Sequence, residues 1–187
     1  IRRQRQMCIR DSIKGVGVQW EGKDIVKKIS ETYPHLPIIQ TENECGDGSN
    51  DWGAAEHTYW LMKKYIEDGA GMYMYFNMVL GDDCRSSWGW KQNAMVVVDT
   101  KSKKATFTPE YWLMKHFSRY VQPGAKRLIT LGNNYNLSAF ENEDGSRVIV
   151  VFNPDETVRN MSVSLGCDCV MNLSLQPKSF NTLLITE

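Results

Sequence analysis

Residues 40–48, QTENECGDG, set two carboxylates and a thiol, Glu42, Glu44 and Cys45, directly behind the short apolar run Leu36-Pro37-Ile38-Ile39. The same arrangement recurs on either side. GVGVQWE (15–21) closes on Gln19, Trp20 and Glu21, and MYMYFN (72–77) closes on Phe76 and Asn77. A Glu held at the end of a rigid strand suits a carboxylate that attacks the anomeric carbon of a sugar. Trp and Phe offer flat apolar faces to a sugar ring, and Asn and Gln hydrogen-bond its hydroxyls. The same residue types also fit plain strand ends and a helix-capping Glu, so the chemistry alone leaves both readings open.

The elements that must position these residues alternate. Residues 13–20 and 36–41 read as short strands. Between them, 22–33 (GKDIVKKISETY) place Ile25, Val26 and Ile29 on one face of an amphipathic helix. Asp51 is the expected N-cap of a helix over 52–68, where Ala55, Tyr59, Met62 and Ile66 recur at spacings of three and four. Residues 72–80, MYMYFNMVL, are apolar at nearly every position, as expected of a parallel strand buried on both faces. After a long loop, Pro109 opens a helix, PEYWLMKHFSRYV, in the favoured first-turn position. This is repeated β/α grammar. Beyond PGAKRL (123–128) the grammar changes to short strands, 148–153, 161–165, 169–175 and 181–186, split by polar turns, which predicts an all-β sandwich.

Composition removes several function classes. Lys and Arg total 22 against 22 Asp and Glu, so no net field recruits nucleic acid or an anionic membrane. No apolar run reaches the roughly 20 residues that a membrane-spanning helix needs. Aromatics make up 11% of the chain, which suits a large core and also suits flat amphipathic ligands. Five cysteines lack the spacing of a disulfide framework, and Cys167 and Cys169 lack the CxxC or HxxxH partners of a zinc site, so no metal is expected. Residues 1–12, IRRQRQMCIRDS, show no usable periodicity and no apolar segment of a signal peptide; they read as a non-native leader, with the natural sequence starting near residue 13 and continuing upstream. His116 reads as a packed helix residue and His57 as a surface one.

Four blocks resemble glycoside hydrolase family 30: QTENECGDG (40–48), MYMYFNMVL (72–80), SSWGWKQNAMVVVD (86–99) and TPEYWLMKHFSRYVQPGAKRL (108–128). The resemblance runs from residue 13 to the C-terminus. It implies the C-terminal part of a (β/α)8 barrel over 13–122, about three β/α units, followed by a β-sandwich side domain over 123–187. It also implies retaining hydrolysis of a β-linked glycoside or oligosaccharide, glucosylceramide and β-1,6-glucan being examples, with no cofactor. The family nucleophile is the Glu of a Thr/Ser-Glu pair ending the seventh strand, which carries over to Glu42; a Glu-x-Cys alignment would select Glu44 instead. Gln19 and Trp20 follow the sixth strand, and Phe76 and Asn77 end the eighth. Trp88, Trp90 and Asn93 belong to a loop that closes over substrate in that family.

One departure stands out. The family's acid/base Glu lies in an Asn-Glu-Pro motif after the fourth strand, and this sequence contains none. Retaining hydrolysis needs two carboxyls roughly 5–5.5 Å apart. Glu21 is the available substitute, but the resemblance puts it in a substrate-contact position. The expectation is that this chain holds half of a catalytic pair and is inactive alone. A non-catalytic carbohydrate-binding module is the rival reading.

Overall fold

The computed structural model describes residues 12–133, 136–166 and 169–186. The leader expected at 1–12 lies, except for Ser12, outside the described residues, as does Cys167. The chain divides into two compact units, one ending at Tyr111 and one beginning at Trp112.

The first unit opens with a parallel sheet in the order β1-β2-β3, built from β1 (Val16–Gln19), β2 (Ile38–Glu42) and β3 (Met72–Tyr73). Helix α1 (Val26–Thr32) connects β1 to β2, and α2 (Trp52–Glu67) connects β2 to β3. The Asp51 side chain caps α2 by accepting from the Ala54 amide at 2.9 Å, as the sequence predicts. Val18, Val26, Ile38, Tyr65 and Ala70 form the core between sheet and helices. Full burial of each large side chain there is worth about 1.5–3 kcal/mol.

Two elements differ from expectation. The helix expected over 22–33 begins as a 3-10 turn, Trp20–Ile25, and becomes α-helical only at Val26. Gly22 makes that tight turn feasible, because a Cβ there would stand 3.3 Å from Val18 Cβ. The single strand expected over 72–80 is split. Only Met72–Tyr73 pairs with β2; the next amide, Met74 N, donates instead to the Gln40 side chain at 2.6 Å. From Val79 the chain joins a separate sheet, ordered β4-β5-β6, made of β4 (Val79–Gly81), β5 (Val96–Val98) and β6 (Ala105–Phe107). Nor is the run covered on both faces. Tyr73, Tyr75 and Asn77 are half-buried, whereas Met72, Met74, Phe76 and Met78 are exposed. A uniformly apolar run carries no periodicity to reveal which face is covered.

Helix α3 (Pro109–Ser118) starts at its proline and spans the division between the units. In the second unit β7 (Lys126–Leu128), β8 (Leu137–Glu141), β9 (Arg147–Asn153), β10 (Arg159–Ser164), β11 (Val170–Leu175) and β12 (Ser179–Ile185) follow. Four of them form an antiparallel sheet, β12-β9-β8-β7, and β10-β11 form a two-stranded ribbon. Leu137, Ala139, Ile149 and Val151 of the sheet pack with Met161, Val163, Met171 and Leu173 of the ribbon, which is the expected sandwich. Strand β9 is buried on both faces: Phe152 stacks on Phe180 at 4.9 Å, and Asn153 Nδ2 donates to the Thr157 and Gln176 carbonyls. His116 is a packed residue as read, its Nδ1 2.8 Å from Thr182 Oγ1, and burial holds its imidazole below the ordinary range.

Candidate functional site

Strict alternation along β2 would turn Glu42 to the covered face that holds Ile38 and Gln40. The pairing prevents this. Val18 is opposite Gln40 but Gln19 is opposite Glu42, so Thr41 is an extra residue on β2. The Thr41 hydroxyl donates to the Val18 carbonyl at 3.1 Å and holds the bulge. Bulges of this kind re-aim the next side chain. Glu42 emerges half-exposed, its Oε1 accepting from Trp20 Nε1 at 3.2 Å.

The loop behind Glu42 is pinned by one amide. Asn93 Oδ1 accepts from Gly48 N at 2.8 Å and from Asn50 N at 3.4 Å, and Asn93 N donates to the Cys45 carbonyl at 2.6 Å. Gly46 has φ +71° and would place a Cβ 2.4 Å from Asn93 Cγ, so only glycine fits. Asn93 is 2% exposed. Its expected contact with a ligand therefore becomes a supporting role, since both its oxygen and its amide are committed to the 45–50 loop.

Glu44 is tied down as well. Lys23 Nζ sits 2.5 Å from its carboxylate, and the pair is partly buried. Burial is the largest single influence and pushes the Glu44 carboxyl up, but the Lys23 hydrogen bond, a backbone hydrogen bond and the Lys23 charge together outweigh it and hold the group below the ordinary carboxylate range. Cys45 is half-buried, and burial pushes its thiol up, away from a reactive thiolate.

Five of the residues singled out in the sequence, Glu42, Phe76, Asn77, Trp88 and Trp90, line one cavity of about 350 Å³. That volume lies within the range of small-ligand pockets. Asn77 is oriented by donating to Gln92 Oε1 at 3.0 Å and to the Asn93 carbonyl at 3.2 Å. Trp88 and Trp90 are 80% and 66% exposed on a tight hairpin, closed by Ser86 N on the Trp90 carbonyl and Gly89 N on the Ser86 carbonyl, both at 2.9 Å. Gln19 and Trp20 are not in the lining; Trp20 reaches the site through its bond to Glu42. Leu80, Arg85 and Gln92 also line the cavity and were not foreseen, although Gln92 adjoins the residue that was. Glu42 is the single carboxylate among the lining residues. A larger cavity of about 700 Å³ in the second unit is lined by aliphatic residues interspersed with Gly, Ser, Thr and Asn, and its one charged pair, Glu141 and Arg147, is engaged with itself at 3.2 Å. It offers no comparable chemistry.

Residues 124–183, within the second unit, match the family model of the Glycosyl hydrolase family 30 beta sandwich domain. The chain is 22% identical over 194 residues to Putative glucosylceramidase 4 of Caenorhabditis elegans, an alignment that covers 92% of this chain and 37% of that protein. Among solved structures it is similar to SrfJ from Salmonella typhimurium, with 24% identity and a TM-score of 0.82 over 95% of this chain and 42% of that one. It is also similar to an endo-β-1,6-glucanase, with 23% identity and a TM-score of 0.72 over 86% of this chain and 38% of the other. The catalytic domain of GH30 xylanase C from Talaromyces cellulolyticus gives 20% identity and a TM-score of 0.65 over 81% and 41% of the two chains. The chain therefore spans well under half the length of these relatives, and the structural likenesses establish its fold.

Proposed function

We propose that this chain supplies the nucleophile and part of the sugar-binding wall of a retaining β-glycosidase, with β1, β2 and β3 as the sixth, seventh and eighth strands of a (β/α)8 barrel. The observation that carries this reading is the bulge at Thr41, which turns Glu42 out of the covered face and into a cavity walled by Phe76, Trp88 and Trp90. A strand end needs no such device to cap a helix.

In the proposed reaction Glu42 attacks the anomeric carbon, the bond to the leaving oxygen breaks, and a covalent glycosyl-enzyme forms. A second carboxyl, supplied from outside this cavity lining, protonates the leaving oxygen and later deprotonates the attacking water. Trp20 Nε1–H occupies one Glu42 oxygen and leaves the other for attack. Asn77, oriented from behind by Gln92, offers its amide oxygen to a sugar hydroxyl, and the exposed indoles of Trp88 and Trp90 stack on the ring or its aglycone. Glu44 is the weaker candidate for the nucleophile because its charge is already neutralised by Lys23. The substrates proposed are β-glucosides, with glucosylceramide and β-1,6-glucan as the classes suggested by the relatives' names. The chemistry uses carboxyls alone and calls for no cofactor.

The test is incubation with 2-deoxy-2-fluoro-β-glucosyl fluoride followed by peptide mass spectrometry. Fluoride leaves without acid assistance, so the adduct does not depend on the second carboxyl. An adduct on Glu42 is expected. An adduct on Glu44 would move the nucleophile by two residues. Sugar binding without any adduct, unaffected by Glu42→Gln, would favour the binding-module reading.

A further inference from the structure

Glu110 lies on the first turn of α3 and is 3% exposed. Its Oε1 accepts from Thr58 Oγ1 of α2 at 2.7 Å. The side chains of Tyr75 and Asn93 face the same carboxyl. Neither Glu110 Oε2 nor the Tyr75 hydroxyl completes a hydrogen bond of good geometry, so the second oxygen is enclosed with polar groups beside it and no strong donor on it. A buried carboxylate in that position is costly, whereas a carboxylic acid can use its own proton to donate.

The neighbours of Glu110 are what give it reach. Asn93 is the amide that pins Gly48 and Asn50 behind Glu42. Tyr75 immediately precedes Phe76 and Asn77, which line the cavity. One carboxyl thus meets both segments that deliver site residues.

We propose that Glu110 is a positioning residue that works as a neutral acid, donating toward Tyr75 and accepting from Thr58 and Asn93, and so holds the nucleophile loop and the Phe76–Asn77 segment in register. The role in catalysis rests on the glycosidase reading above; the hold on the loop does not. Burial pushes the Glu110 carboxyl above the ordinary range, and the hydrogen bond from Thr58 with the nearby Tyr75 and Asn93 side chains only partly offsets it. The titratable groups facing it are His57 from α2 and Tyr73 and Tyr75 from the strand side, and His57 favours the ionised form. A carboxyl raised in the folded state contributes stability below its unfolded value and loses that contribution as pH rises through the folded value. The clamp is therefore tight in acid and loosens toward alkaline pH.

The experiment is amide hydrogen exchange on the full chain between mildly acidic and mildly alkaline pH, corrected for base catalysis. Gly48 and Asn50 are the reporters, and Leu61 and Met62 within α2 control for general unfolding. In the wild-type chain the protection of Gly48 and Asn50 is expected to fall about tenfold from the acidic to the alkaline end. In Glu110→Gln the protection should no longer change with pH; in Glu110→Ala it should be low throughout, with the α2 amides unmoved. Identical pH curves in wild type and Glu110→Gln would overturn the proposal. Parallel labelling by the fluoro-sugar separates the two readings. Glu42 labelling with the same pH dependence in both chains sinks the positioning role and leaves the glycosidase intact. Loop protection that depends on Glu110 without any labelling sinks the glycosidase and leaves the clamp standing.

Discussion

The Trp20 indole Nε1 donates to Glu42 Oε1 at 3.2 Å, from a residue held at φ +49° where β1 turns into its 3-10 segment. A side chain other than glycine in that left-handed region persists only when its surroundings hold it there. The bond fixes which carboxylate oxygen is occupied. Trp20→Phe keeps the aromatic face and removes the donor. Its expected result is a fall of about tenfold in the rate of Glu42 labelling, from the roughly 1.5 kcal/mol of a hydrogen bond to a charged group, with the melting temperature nearly unchanged. A labelling rate equal to wild type would show that the bond has no part in aiming the carboxylate.

Glu42 and Glu44 should separate cleanly. Glu42→Gln is expected to abolish the covalent adduct while leaving stability within about 0.5 kcal/mol, because the side chain is half-exposed. Glu44→Gln should still form the adduct. Intact-mass measurement of both variants after labelling decides between them.

The Lys23–Glu44 pair carries a pH signature. Against burial, the largest single influence, the Lys23 hydrogen bond and charge together with a backbone hydrogen bond hold its carboxyl below the ordinary range, so its contribution is present above the unfolded carboxylate value and is lost as pH falls through the folded one. Glu44→Gln is expected to cost about 0.5–1 kcal/mol at neutral pH, with the difference from wild type shrinking in acid. Urea denaturation at several pH values tests this; a difference that grows in acid contradicts the assigned sign.

Asn93 supports the site from behind. Asn93→Ala removes the acceptor shared by Gly48 and Asn50 and leaves two part-buried amides without it. A loss of about 2–3 kcal/mol is expected. Faster proteolysis within the 45–50 loop should accompany it, whereas a variant as resistant as wild type would show that other contacts hold the loop.

In the sandwich, Phe152→Ala should cost about 3–5 kcal/mol, because Phe152 is fully buried and stacked on Phe180. Thermal unfolding monitored on the second unit reads this directly. Trp88→Ala gives the opposite pattern: an 80% exposed ring can be removed with little effect on stability, while weaker binding of β-glucosides is expected in calorimetry.

Local pattern was enough to read the helix capped by Asp51, the helix begun by Pro109, the strand that ends at Glu42 and the sandwich grammar of the C-terminal strands. Capping, proline placement and alternation act between residues a few positions apart, so composition and spacing express them in one dimension. The resemblance to glycoside hydrolase family 30 then pointed to residues that the structure gathers around one cavity, Glu42, Phe76, Asn77, Trp88 and Trp90. What the tertiary structure decided was of longer range. The extra residue at Thr41 is defined only by pairing with β1, and it shifts the register just before Glu42. The run 72–80 looked like one strand because nearly all its residues are apolar, yet Gln40 takes the amide that would have continued the pairing. Asn93, Lys23 and Glu110 acquire their roles from partners 45, 21 and 52 positions away in the chain. A side chain's hydrogen-bonding capacity is written in its type, but the partner that uses it is chosen only when folding brings distant backbone and burial together.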